Sequence, residues 1–73
     1  MAKGRVVNDI RTLRFLAGEM TQAELGEKIG LTRQTVAAIE QGKYSPSLEV
    51  AFRIARCFDK PLEAVFQWSD DKD

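Results

Sequence analysis

Thr32, Arg33, Gln34 and Thr35 stand next to one another in the segment LTRQTVAAIEQGK, residues 31–43, and are followed by Val36, Ala37 and Ala38. A guanidinium beside a carboxamide is a pairing suited to purine edges: Arg can donate two bonds to guanine O6 and N7, and Gln can pair bidentately with adenine N6 and N7. This chemistry needs no nucleophile and no metal. It needs a rigid rod that carries both side chains into a groove. Thr32 as N-cap and Gly42 as stop predict such a rod, a helix over about 33–41 with Val36 and Ile39 facing inward. Reach is then concentrated in the first turn, and Ala38 farther along lets the backbone approach closely or leaves room for a thymine methyl group.

Holding that helix requires others. TQAE places Glu24 three residues after Thr21, the capping-box spacing, and predicts a helix over about 22–29 that ends at Gly30. Leu25, Ile29, Leu31, Val36 and Ile39 form the apolar set between the two helices. Gly26 sits where they approach most closely, so a larger side chain there would push them apart. Val7, Ile10, Leu13, Leu16 and Ala17 recur at helical spacing and predict a first helix over about 8–17, with Asn8 as cap and Gly18 as stop. Pro46 and Ser47 precede a helix over about 48–58. Its two apolar faces, Leu48/Ala51/Phe52/Ala55/Phe58 and Val50/Ile54/Cys57, predict cover on two sides. Pro61 opens a short fifth helix over about 62–67. No alternating strand pattern is evident, so the expected fold class is all-α. Residues 1–67 are expected to form one domain, and 68–73 an acidic C-terminal tail.

Composition narrows the functional classes. There is one cysteine and no histidine among 73 residues, which removes histidine-based catalysis and argues against a zinc site. No nucleophile–base pair stands out, so the chain is not expected to be an enzyme, and neither cofactor nor metal is expected. No apolar run is long enough for a membrane helix, and the start MAKGRVVND does not read as a signal peptide, which points to the cytoplasm. The formal net charge is zero, yet residues 1–60 carry ten Lys and Arg against seven acids, and residues 61–73 carry one Lys against four. With screening over roughly 8 Å at physiological salt, a basic face can act on a phosphate while a distant acidic end cancels it only in the sum.

The stretch TQAELGEKIGLTRQTVAAIEQGKYSPSLEVAFRIARCF, residues 21–58, resembles the phage repressor and Cro-like helix-turn-helix family, also called the XRE family, especially its short stand-alone bacterial members. The resemblance runs from about Ile10 to Phe66. It implies a five-helix, lambda-repressor-like DNA-binding domain. It implies base contacts by Thr32, Arg33, Gln34 and Ala38, and phosphate contacts by Gln22, Thr35, Gln41 and Lys43, with Gln22 also bracing the first residue of the recognition helix. Arg14 and Glu40 match a partly buried ion pair. Three departures stand out: the turn GEMT is one residue longer than usual, Gly26 replaces the commoner Ala, and Ala38 stands where several members carry a longer polar residue.

The expected function is sequence-specific binding of double-stranded DNA by a homodimeric transcriptional regulator, a repressor reading a roughly palindromic operator. Val50, Ile54, Cys57, Val65, Phe66 and Trp68 are expected at the dimer contact, and no membrane or small-molecule partner is expected. Two alternatives remain beside it: an antitoxin that represses its own operon, and a protein-interaction module without DNA binding.

Overall fold

In the computed structural model, residues 4–70 are described. They form, in order, β1 (Gly4–Asn8), α1 (Ile10–Leu16), α2 (Gln22–Ile29), α3 (Arg33–Glu40), α4 (Leu48–Cys57), α5 (Leu62–Val65) and β2 (Phe66–Asp70). Five helices are present, but the fold is not all-α. Gly4–Asn8 and Phe66–Asp70 meet as an antiparallel pair, with Val6 opposite Trp68 and Asn8 opposite Phe66. Arg5-Val6-Val7 and Phe66-Gln67-Trp68 are rich in the β-branched and aromatic residues that suit a pleated strand. Each run is too short to show a period, and its partner lies at the far end of the chain.

The sheet corrects both ends of the expected map. Asn8 lies in β1, and α1 begins only at Ile10 and ends at Leu16. Val7 is a strand residue, while Leu16, expected inward, is 72% exposed. Trp68, Ser69 and Asp70 belong to β2 rather than to a tail; positions 71–73 lie outside the described residues. Across the pair the Trp68 indole covers Gly4, where a Cβ would fall 2.5 Å from the ring.

Helix ends follow local chemistry. Thr21 and Glu24 complete the capping box around α2, with Thr21 N donating to Glu24 Oε1 at 2.8 Å and Glu24 N to Thr21 Oγ1 at 3.0 Å. Ser47 Oγ accepts from Val50 N at 3.2 Å and starts α4. At the far end of α4, Lys60 N bonds Ala55 O and Asp59 N bonds Arg56 O, each at 3.0 Å, a closure that puts Asp59 at φ 56°. That left-handed position favours glycine. Asp59→Gly is expected to raise stability by about 0.5 to 1 kcal/mol, read as a higher melting temperature; a lower one would show that the carboxylate makes a compensating contact.

Ile10, Leu25, Ile29, Val36, Ile39, Ile54, Ala55 and Val65 form the buried core, with Leu13, Leu31, Phe58 and Phe66 packed around it. α4 is covered on one side only. Ala51, Ile54 and Ala55 are buried, whereas Leu48 and Phe52, expected beneath a second cover, are exposed.

Candidate nucleic-acid interface

The recognition element is built from its cap upward. Thr32 Oγ1 accepts from Thr35 N at 3.1 Å and lies 3.0 Å from Thr35 Oγ1. The two threonines thus tie each other down at the start of α3. Between them Arg33 and Gln34 are exposed. Val36 and Ile39 are buried at 1% and 2% exposure, so the helix turns its remaining side outward, where Gln34, Ala37, Ala38 and Gln41 follow at helical spacing. Ala37 and Ala38 are half-buried and present only methyl groups beside the longer amides.

Gly30, at φ 78°, ends α2 in the left-handed conformation, and Leu31 N donates to Gly26 O at 2.8 Å. A Cβ at Gly26 would fall 2.5 Å from Leu31 O, a backbone atom. The turn therefore closes directly onto a bare Cα, which fixes how far α3 stands off from α2.

Arg14 and Glu40 join α1 to the last residue of α3. Arg14 Nε and Nη2 donate to the two carboxylate oxygens at 2.6 and 3.1 Å, and Nη1 donates to Met20 O at 2.7 Å. The side chains are 14% and 8% exposed. The same guanidinium therefore clasps the GEMT turn, in which Gly18 and Glu19 both take left-handed φ values of 84° and 59°. Gln22 Nε2 also donates to Glu40 Oε1, at 3.2 Å. This corrects the expectation that Gln22 braces the first residue of α3: its amide holds the last one.

Sequence reasoning missed Asn8. Its Nδ2 donates to Ile39 O at 3.1 Å, while its Oδ1 accepts from Ile10 N at 3.2 Å. One carboxamide thus links β1, the start of α1 and the C-terminal turn of α3. Only its capping ability is visible in sequence; the bond to Ile39 spans 31 residues. Beyond it, Gln41, Gly42 and Lys43 are exposed, and Lys43 N bonds Ala38 O at 2.9 Å, so a backbone loop closes the helix.

The residues expected at a dimer contact separate into two groups. Ile54 and Val65, at 1% and 0% exposure, lie inside the chain's own core and present no surface to a partner. Val50, Cys57 and Phe66 are partly buried against that core, and Trp68 is 61% exposed. The side of α4 that faces the core draws on both of its apolar faces, Ala51 and Ala55 from one and Ile54 from the other, and leaves Leu48 and Phe52 outside.

A capped bihelical unit held against three further helices, with a polar first turn directed outward, defines the helix-turn-helix domain of a transcriptional regulator, a kind of protein that is not an enzyme. The comparisons agree. The helix-turn-helix family model HTH_3 matches residues 10–65, and the chain belongs to that family. An uncharacterized HTH-type transcriptional regulator of Methanocaldococcus jannaschii is 49% identical over 53 residues, 73% of this chain and 80% of that protein. The regulator YgzD of Bacillus subtilis, likewise uncharacterized, is 46% identical over 65 residues, 89% of this chain and 96% of that one. In fold, the chain is similar to a crystal structure of a Bacteroides fragilis protein, with a TM-score of 0.73 at 19% identity, covering 85% of this chain and 98% of the other. No helix among the described residues is long and apolar enough to cross a membrane.

Proposed function

We propose that the protein binds double-stranded DNA sequence-specifically as a homodimer in the cytoplasm and represses transcription from a roughly palindromic operator. The observation that carries this reading is the outward face of α3: Arg33 and Gln34 exposed directly after a cap made by Thr32 and Thr35, with alanines behind them. A recognition helix enters the major groove with its N-terminal residues nearest the base edges. Arg33 and Gln34 would there read purines, Thr32 and Ala38 would border the bases, and Gln22, Thr35, Gln41 and Lys43 would hold the flanking phosphates. Two copies related by a twofold axis would read half-sites about one helical turn apart. Val50, Cys57, Phe66 and Trp68 supply apolar surface for the contact between them.

Selection of bound sequences from random duplex DNA, with the mass of the complex measured alongside, tests the reading. A two-half-site consensus bound by two chains is expected; the absence of any selected pattern would overturn it. Arg33→Ala and Gln34→Ala should each weaken the selected site by about 1 to 3 kcal/mol and relax preference at one base pair. If both leave the consensus unchanged, α3 is not the reading element.

A further inference from the structure

We infer that Asn8 is a positioning residue for DNA binding: by holding the main chain where α3 ends, it sets the place of the loop that carries Lys43 to a phosphate. The inference rests on the DNA-binding reading above, and within it on Lys43 as a phosphate contact. α3 closes through its own backbone. Gly42 takes the left-handed conformation at φ 77°, its N–H donates to Ile39 O at 3.1 Å, and Lys43 N donates to Ala38 O at 2.9 Å. These two bonds are the paired closure common at helix C-termini, so the direction in which the chain leaves α3 depends on the Ala38 and Ile39 carbonyls. Asn8 Nδ2 donates to the second of them, Ile39 O, at 3.1 Å. A carbonyl oxygen has two lone pairs, so Ile39 O serves the Gly42 N–H and the Asn8 amide together.

The donor is itself held from three sides. Asn8 Oδ1 accepts from Ile10 N at 3.2 Å, Asn8 pairs with Phe66 across the sheet, and the next residue, Asp9, donates its N–H to Val65 O at 2.9 Å. Other ties on this end of α3 act differently. Arg14 and Gln22 bond the Glu40 carboxylate, which stands several rotatable bonds from the main chain and can follow a small shift of the helix. Asn8 grips a peptide unit, which cannot shift without breaking the bond. Lys43 is exposed, and its flexible stem must be ordered before the ammonium can hold a phosphate. With the closure at Ile39 fixed, only the side chain has to be ordered. Without the Asn8 amide the loop moves as well, and the contact is made less of the time. A phosphate that is no longer neutralised no longer releases its counterion, which lowers the slope of log affinity against log salt by about 0.9.

The test measures that slope on short duplex DNA for the wild-type protein, Asn8→Ser, Lys43→Ala and the double variant, at a temperature where thermal unfolding shows each to be fully folded. Asn8→Ser keeps an oxygen that can accept from Ile10 N, is too short to reach Ile39 O, and changes no charge. Its affinity should fall about two- to tenfold. Its slope should drop toward that of Lys43→Ala, by up to about 0.9, although no charge has been removed. A purely structural role for Asn8 would not move the slope of folded protein. The double variant should bind no more weakly than Lys43→Ala, because the two residues serve one contact. Wild-type slope and affinity in folded Asn8→Ser would confine Asn8 to stability and overturn the inference. Additive losses in the double variant would overturn it as well, and so would a wild-type slope in Lys43→Ala, each leaving base reading by Arg33 and Gln34 intact. Failure of the wild-type protein to bind duplex DNA at low salt would instead overturn the DNA-binding reading itself.

Discussion

Glu40→Ala is expected to cost about 3 kcal/mol of folding stability, seen as a lower urea midpoint at unchanged slope. The carboxylate accepts three bonds and its side chain is 8% exposed. Its loss leaves the Arg14 guanidinium, itself only 14% exposed, with Met20 O as its remaining recorded partner, and takes the acceptor from Gln22 as well. Removing one member of a buried pair costs about 3 to 5 kcal/mol, and the partial exposure of Arg14 puts this case at the lower end. For a domain whose total stability is roughly 4 to 11 kcal/mol, that is a large share. Glu40→Gln keeps an acceptor and should lose less. Replacing both partners, Arg14→Met with Glu40→Leu, should recover much of the loss, because no charge is then stranded. Equal losses for the single and double variants would show that the pair acts through packing alone.

Gly26→Val is expected to be at least as damaging, at about 3 kcal/mol or more, and to weaken DNA binding in whatever protein still folds. A Cβ at this position lies 2.5 Å from Leu31 O, and no side-chain rotation moves a backbone oxygen away. Overpacking alone costs about 1 to 3 kcal/mol, and the two γ carbons of Val add to it. The turn would have to open, lengthening the 2.8 Å bond from Leu31 N to Gly26 O and shifting α3 away from α2. Ala23→Val serves as the control: Ala23 is exposed in the same helix, so only helix propensity changes, by about 0.5 kcal/mol. Comparable midpoints for the two variants would mean that the close approach at Gly26 does not set the turn.

The Gly26 contact was legible in the sequence because a turn of fixed length leaves little choice about which residues meet across it. The same holds for the caps at Thr21, Thr32 and Ser47, whose partners lie three residues away. It holds less well for Gln22. Its position at the start of α2 could be read, but the choice between the two ends of α3 depends on how α1 and α3 lie together, and Arg14 settles that by drawing Glu40 toward the first helix. Ile54 and Val65 show a different limit. An apolar stripe tells how much surface a helix must cover, not whether its own chain or a second one covers it.

Sequence alone determined the five helices, the bihelical unit and the outward placement of Arg33 and Gln34, because hydrogen bonds spanning three or four residues and a 3.6-residue period are written locally. Tertiary structure decided the rest. It paired Gly4–Asn8 with Phe66–Asp70 into a sheet that no local pattern announces. It gave Asn8 its bond to Ile39 and turned Gln22 toward Glu40. Each of these joins residues far apart in the chain, and their meeting is fixed only once the shared core of Ile10, Ile39, Ile54 and Val65 has closed.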